Sequence, residues 1–361
     1  MSTQTTRTYP SYAQPWWQRL LINREVAVLA LLVAVVVWAV GNVVYFGTTL
    51  TMTYLLLDTA PVLLIALPMT MVIITGEIDL SVASVVGLSS VMVGDLYRAG
   101  IPMGVAAIVA LVVGLLCGAL NGYLVAYVGL PSLAVTIGTL ALFRGLAVGL
   151  LGTTAVTNFP KSWTDLAGAD IGSTGIPLIM VPFLLLALGL GLVLHFSPFG
   201  RGVYDIGLSA EAADFSGVNV ARTKFLLFLI TGVVSAFAGI FFTLRFGSAR
   251  GDNATGLELQ VIAAVLLGGV SIFGGRGRLF GVIAGVLLIG AISSALRLLG
   301  VTVNVINIII GALLVASVMT TNVLPWASSL TARVIRPGSR PQKAPSGVGS
   351  SEKVLNPEKG N

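Results

Sequence analysis

The sequence predicts an all-α polytopic membrane protein with about ten transmembrane helices (8–10), an inverted-repeat core and one short cytoplasmic helix. Three observations carry that prediction. Of 361 residues, 56% are hydrophobic and only 9% are charged, against roughly 25% charged in an average soluble domain. Mean hydropathy is +0.98. The apolar residues also fall in runs long enough to approach the ~30 Å of a bilayer's hydrocarbon core. So little polar surface excludes soluble enzymes, nucleic-acid binders and disulfide-stapled secreted domains. One Cys, Cys117, and one His leave neither a disulfide framework nor a metal cluster to expect.

In chain order, residues 1–25 read as a cytoplasmic N-terminal tail. They are kept in the mature chain, because mostly polar residues precede the first run and no small-residue cleavage site follows it. Trp16 and Trp17 suit an interfacial anchor. The transmembrane domain spans 26–323, with runs at 26–46, 59–75, 81–97, 103–127, 131–152, 176–196, 224–246, 257–273, 280–298 and 301–323. Residues 324–361 read as a basic, disordered tail. An even span count puts both termini on one side. Lys and Arg gather in both tails and in the loops 198–223 and 274–279, which marks that side as cytoplasmic.

Two spans look unusual. Pro61 and Pro68 interrupt the second, and the third covers only about 24 Å at 1.5 Å per residue. Broken or short segments are tolerated where protein or a cavity covers the freed backbone, and they point to a transport path. Each half of the chain also has a Gly- and charge-rich loop at the inner face, 75–80 and 274–281, as inverted repeats do. Gly114, Gly118 and Gly122, like Gly277, Gly281 and Gly285, form small-residue stripes that read as helix packing.

None of the five lysines follows a glycine, so no Gly-Lys-[Ser/Thr] phosphate loop exists and no nucleotide is expected on this chain. Intramembrane polar groups are the remaining candidates, since burying them is costly. Asp58 reads as an N-cap for the second span. Glu77 has no local task and suits the path lining or a gate, while Asp79 or Ser81 would cap the third span. Arg144 would snorkel or meet a carboxylate across the bundle. Asn121, Thr136, Thr139, Gln260, Asn304 and Asn307 suit either a hydroxyl-rich solute or interhelical hydrogen bonds. The path candidates are therefore Glu77, Asp79, Asn121, Thr139, Arg144, Asn304 and Asn307.

The inner loop 197–223 is far longer than a usual connection. Within it, 209–217 reads as a short helix capped by Ser209, with Glu211 in its first turn and Gly217 just past its end. So short a helix is marginal alone and needs a partner to rest on.

The run Thr75-Gly76-Glu77-Ile78-Asp79-Leu80-Ser81-Val82-Ala83-Ser84 resembles the signature of sugar-type ABC importer permeases of the ribose/xylose/arabinose class. So do Gly138-Thr139-Leu140 with Arg144-Gly145, Ile206-Gly207 through Val220, and Leu267 through Gly277. Phe246 through Arg250 and Ala66 through Thr70 are most similar to the rhamnose and autoinducer-2 permeases of that class. Where the class usually has a glycine, this chain has Glu77.

The resemblance implies a permease dimer, homo- or heteromeric, in a bacterial inner membrane. It also implies an ATP-binding subunit carrying ATP and Mg, and an extracytoplasmic solute-binding protein. Ser209, Glu211, Ala212, Ala213, Ser216 and Gly217 would then couple to the ATPase. The outer loop with Phe159, Lys161, Trp163 and Asp165 would help dock the binding protein. The alternative from a different class is an ion-coupled secondary transporter of a small polar solute, which leaves the long inner loop unexplained.

Overall fold

The computed structural model describes residues 24–317 and 319. The C-terminal tail 324–361 and most of the N-terminal tail, with Trp16 and Trp17, lie outside them. Among the described residues the regular structure is all helical. The helices are α1 (Arg24–Asn42), α2 (Thr49–Ile74), α3 (Val82–Arg98), α4 (Met103–Ala126), α5 (Ser132–Leu151), α6 (Lys161–Gly168), α7 (Met180–Phe196), α8 (Pro198–Leu208), α9 (Ala210–Phe215), α10 (Val220–Phe246), α11 (Leu257–Leu267), α12 (Leu279–Leu298) and α13 (Val303–Ser317).

The polytopic all-α class holds, but the count differs from about ten. Each expected run contains one helix, yet among the described residues only six (α1, α2, α4, α5, α10 and α12) are long and apolar enough to cross. A seventh arises if α7 and α8, bent by 70° to one another, form one span. Two others fall short for physical reasons, while the run 301–323 is described only through residue 317 and at 319. α3 has 17 residues and carries serines along its length. α11 has 11 residues, about 16 Å of helix, half a crossing. It stops at Gly268, where the backbone of Val282 comes so close that no side chain would fit.

α2 is the axis of the bundle. Of its 18-residue apolar window, 94% is buried, as befits a helix hydrophobic on every face. It packs against α7, α10, α11 and α12. Pro61 and Pro68 lie inside it without ending it, because neighbouring helices shield the freed carbonyls. The helix also starts ten residues earlier than its apolar run, at the Thr48 N-cap, whose hydroxyl accepts from Thr51 N at 3.3 Å. Asp58 is therefore not a cap but a mid-helix carboxylate.

The first glycine stripe is packing, as expected. Cβ atoms on Gly114 and Gly118 would collide with α10 at Ala236, Gly232 and Phe228. In the second stripe, Gly281 and Gly285 play that role against Gly268 and Ala264. Gly277 instead lies in the loop before α12.

Candidate functional site

At the face where α2 ends and α12 begins, the two Gly-rich loops meet. Gly275 N donates to Ile74 O at 2.8 Å, joining the last residue of α2 to the loop that opens α12. α8 seals this junction. A Cβ on its Gly207 would collide with both Ile74 O and Gly275 N, and Tyr204 Oη donates to Gly277 O at 2.7 Å. α8 was hidden inside the expected connector: it is amphipathic rather than apolar, is opened by Ser197 and Pro198, and its turn at Gly200 packs on Leu194 O.

α9 follows directly and has the expected caps. Ser209 Oγ accepts from Ala212 N at 3.2 Å, Glu211 sits in the first turn, and Gly217 takes φ +86° after the Ser216 C-cap. Ser216 Oγ donates to Ala212 O at 2.8 Å. Ala213 alone in the helix is buried, while Glu211 and Ala212 face outward. Phe215 is 86% exposed. Sequence reasoning missed it, although an aromatic in a six-residue capped helix was a visible signal.

Glu77 finds a partner in Lys224, 147 residues away at the start of α10, and both side chains are over 80% buried. The 75–81 loop that carries Glu77 is tied down at Ile78, whose N donates to Ser132 Oγ at 3.1 Å and whose O accepts from Thr136 Oγ1 at 3.2 Å. Asp79, Ser81 and Asn121 form one buried chain of hydrogen bonds. Asp79 Oδ1 accepts from Ser81 N (2.9 Å) and Oγ (2.6 Å), and Asn121 Nδ2 donates to Ser81 Oγ at 2.8 Å. The buried Asp79 carboxylate thus has both of these bonds from Ser81 to offset the cost of its burial. Thr139 bonds back to Val135 O within its own helix.

Arg144 meets no carboxylate directly. Its Nη1 donates to Gly251 O (2.8 Å) and Asn253 O (2.7 Å), and Nη2 to Ala83 O (3.3 Å), so it braces the 247–256 loop against α3. A Cβ on Gly87 would press on that guanidinium at 2.6 Å, so the glycine makes its room.

At the opposite end of α2, a cavity of about 230 Å³ opens between α2, α11, α12 and α13. Asp58, Gln260, Ser293, Arg297 and Asn307 line it. Arg297 Nη1 donates to Asp58 Oδ2 at 3.2 Å. Arg245 approaches Asp58 only to 3.9 Å and leans over the Tyr54 ring, 5.2 Å from its centroid. Asn304, expected beside Asn307, is exposed and does not line the cavity.

In the loop meant for docking, Lys161 and Asp165 are exposed on α6. Phe159 is turned inward, 5.6 Å from the Tyr97 ring, and Trp163 edges an apolar groove with Phe237 and Phe241. Phe159 is buried and Trp163 half-buried.

Membrane-length helices around a cavity of mixed polar and apolar lining, with a small outward-facing helix tied to the far ends of the same helices, are the architecture of a membrane transport permease. Residues 51–318 match the family described as "branched-chain amino acid transport system / permease component", and the chain belongs to it. It is 37% identical over 262 residues to the autoinducer 2 import system permease protein LsrD of Photorhabdus luminescens, covering 71% of this chain and 78% of that one. The LsrD proteins of Yersinia pseudotuberculosis (37%) and Yersinia enterocolitica (36%) match over the same shares. No solved structure matches.

Proposed function

We propose that the chain is the membrane-spanning permease subunit of an ABC importer for a small sugar or sugar-like solute. Autoinducer-2, named in its relatives, is the first candidate, and rhamnose or another monosaccharide the next. The observation that carries this reading is α9: a helix capped at both ends that leaves Phe215 almost wholly in solvent. A six-residue helix is marginal alone, and an exposed aromatic on it is an anchor for a partner.

That partner is an ATP-binding subunit, which holds ATP and Mg. Its nucleotide-driven closure would push on α9 with Ser209, Glu211, Ala212, Ala213, Ser216 and Gly217. A second permease subunit, homo- or heteromeric, completes the path in a bacterial inner membrane, with both termini cytoplasmic. A solute-binding protein delivers from the other side, where Lys161 and Asp165 present charge. Free energy reaches this chain only through contacts that differ between states.

The test is co-purification of the membrane complex through a tag on this chain, with uptake of labelled L-rhamnose and autoinducer-2 by the same cells. An ATPase subunit accompanies the intact chain and is lost with Glu211→Arg or Gly217→Trp at unchanged membrane levels. If no ATPase accompanies the intact chain and uptake follows an ion gradient, the reading is wrong.

A further inference from the structure

In the half of the bundle away from α9, a groove of about 270 Å³ runs between α6, α7 and α10. Its back wall is Ile240, Phe241 and Leu244 of α10, which are 6%, 5% and 7% exposed. Its rim is Trp163 and Leu166 of α6 and Pro182 of α7. Apart from the Trp163 indole, the lining side chains carry no hydrogen-bonding group. The groove is the seam between two cores. Phe241 belongs to the one centred on α2, while Ile240 and Leu244 belong to the one beneath α6.

The depth of the groove places it in one leaflet. Its α10 residues run from Phe237 to Leu244 and stop two residues before the helix ends at Phe246. That is about 10 Å along the axis at 1.5 Å per residue, less than half of a hydrocarbon core about 30 Å thick. α6 marks the water boundary above it. Trp163, Leu166 and Ala167 turn toward the groove, whereas Lys161 and Asp165 lie on the opposite face and are exposed. This is the arrangement of a helix lying in the interface. No residue of α6 is buried, and a helix of eight residues is marginal without something to rest on.

The lining decides what fills the gap. Water does not stay in a space walled by apolar side chains, and a polar solute would leave its hydroxyls unpaired there. A second helix, about 10–12 Å across, is too wide for the groove, whereas one unbranched hydrocarbon chain is not. Leu185, one turn on from Pro182 and on the same face of the apolar α7, is 66% exposed, so the groove opens onto a surface that lipid covers. We infer that it holds one acyl chain of a phospholipid from the adjoining leaflet, and that this chain is the floor on which α6 rests. The inference needs only that the chain spans a membrane, and is independent of the ATPase and the solute.

The test uses the full-length protein, purified with the subunits that accompany it, in nanodiscs containing a phosphatidylethanolamine with a diazirine in one acyl chain. After illumination, peptide mapping is expected to find label on Ile240 and Phe241 as well as on the exposed Leu185 and Leu188, although bulk lipid does not reach side chains so buried. Ala167→Phe, which fills the groove from α6, lowers the label on Ile240 and Phe241 about tenfold or more and leaves that on Leu188 unchanged. Stripping lipid with detergent speeds tryptic cleavage after Lys161, and phospholipid added back restores protection. Label on Leu185 and Leu188 with none on Ile240, Phe241 or Leu244 overturns the inference, and wild-type protein alone decides this should Ala167→Phe fail to fold. Leu166→p-benzoylphenylalanine that joins another polypeptide instead of lipid also overturns it, making the groove a subunit contact. Cleavage after Lys161 that ignores lipid overturns the support of α6.

Discussion

The two ends of α2 are built in opposite ways. At the α9 end the chain meets itself backbone to backbone: Gly207, Ile74 and Gly275 touch with no room for a methyl group between them. At the other end, side chains face each other across open space around Asp58. The difference matches two physical tasks. Transmitting displacement needs contacts without slack, and close-packed backbone is the stiffest contact a protein offers. An end that stays open to solvent needs groups that can exchange partners, and hydrated side chains do so at small cost.

The most severe way to break this contrast is to insert bulk at the stiff end. Gly207→Val should abolish uptake, by more than a hundredfold, since Ile74 and Gly275 must separate; the overpacking itself costs roughly 1–3 kcal/mol. Uptake and detergent thermal melts on the variant complex check this, and wild-type uptake would mean that the junction is not stiff.

Next comes the Glu77–Lys224 pair. Removing one partner strands the other in a largely buried site, at roughly 3–5 kcal/mol. Glu77→Ala and Lys224→Ala should each lower the melting temperature of the purified complex strongly, and the double variant should recover most of the loss. Additive losses would show that the two charges do not interact.

A smaller effect is expected at α9. Phe215→Ala should weaken ATPase association by about 2 kcal/mol, roughly thirtyfold, as an interfacial aromatic does. The chain's own melting should be unchanged, because the ring packs on little within it. Titrating purified permease against its ATPase measures this, and equal affinity would remove Phe215 from the interface. The smallest effect belongs to Asn304→Ala. Lying off the cavity, it should stay within about 0.5 kcal/mol in stability and leave the KM for uptake alone. A changed KM would put Asn304 on the solute's path.

Much of this was legible locally. The caps of α9 follow from Ser209 and Gly217, and a close-packed face on α4 from glycines four residues apart, though not that α10 is its partner. What was not legible depended on distance or on mild composition. Glu77 could not announce a lysine 147 residues away. α2 hid its first turns behind three threonines, Thr49, Thr51 and Thr53, so Asp58 looked like a helix start when it was the middle. α8 lacks an apolar stretch of its own, and only its position against Ile74 gives it meaning. The cavity required four helices from both halves of the chain, which no single window contains.

The guanidinium of Arg144 has a consequence for how the protein is made. Its strongest bonds go to Gly251 O and Asn253 O, the latter 109 residues further along the chain. At translation rates of about 5–20 residues per second, roughly 5–20 s pass between synthesis of the arginine and of its acceptors. During that interval the guanidinium on α5 has neither of these two acceptors. Its third acceptor, Ala83 O on α3, precedes it in the chain. The full set of Arg144 bonds can therefore form only after α10 and the loop that follows it have been made.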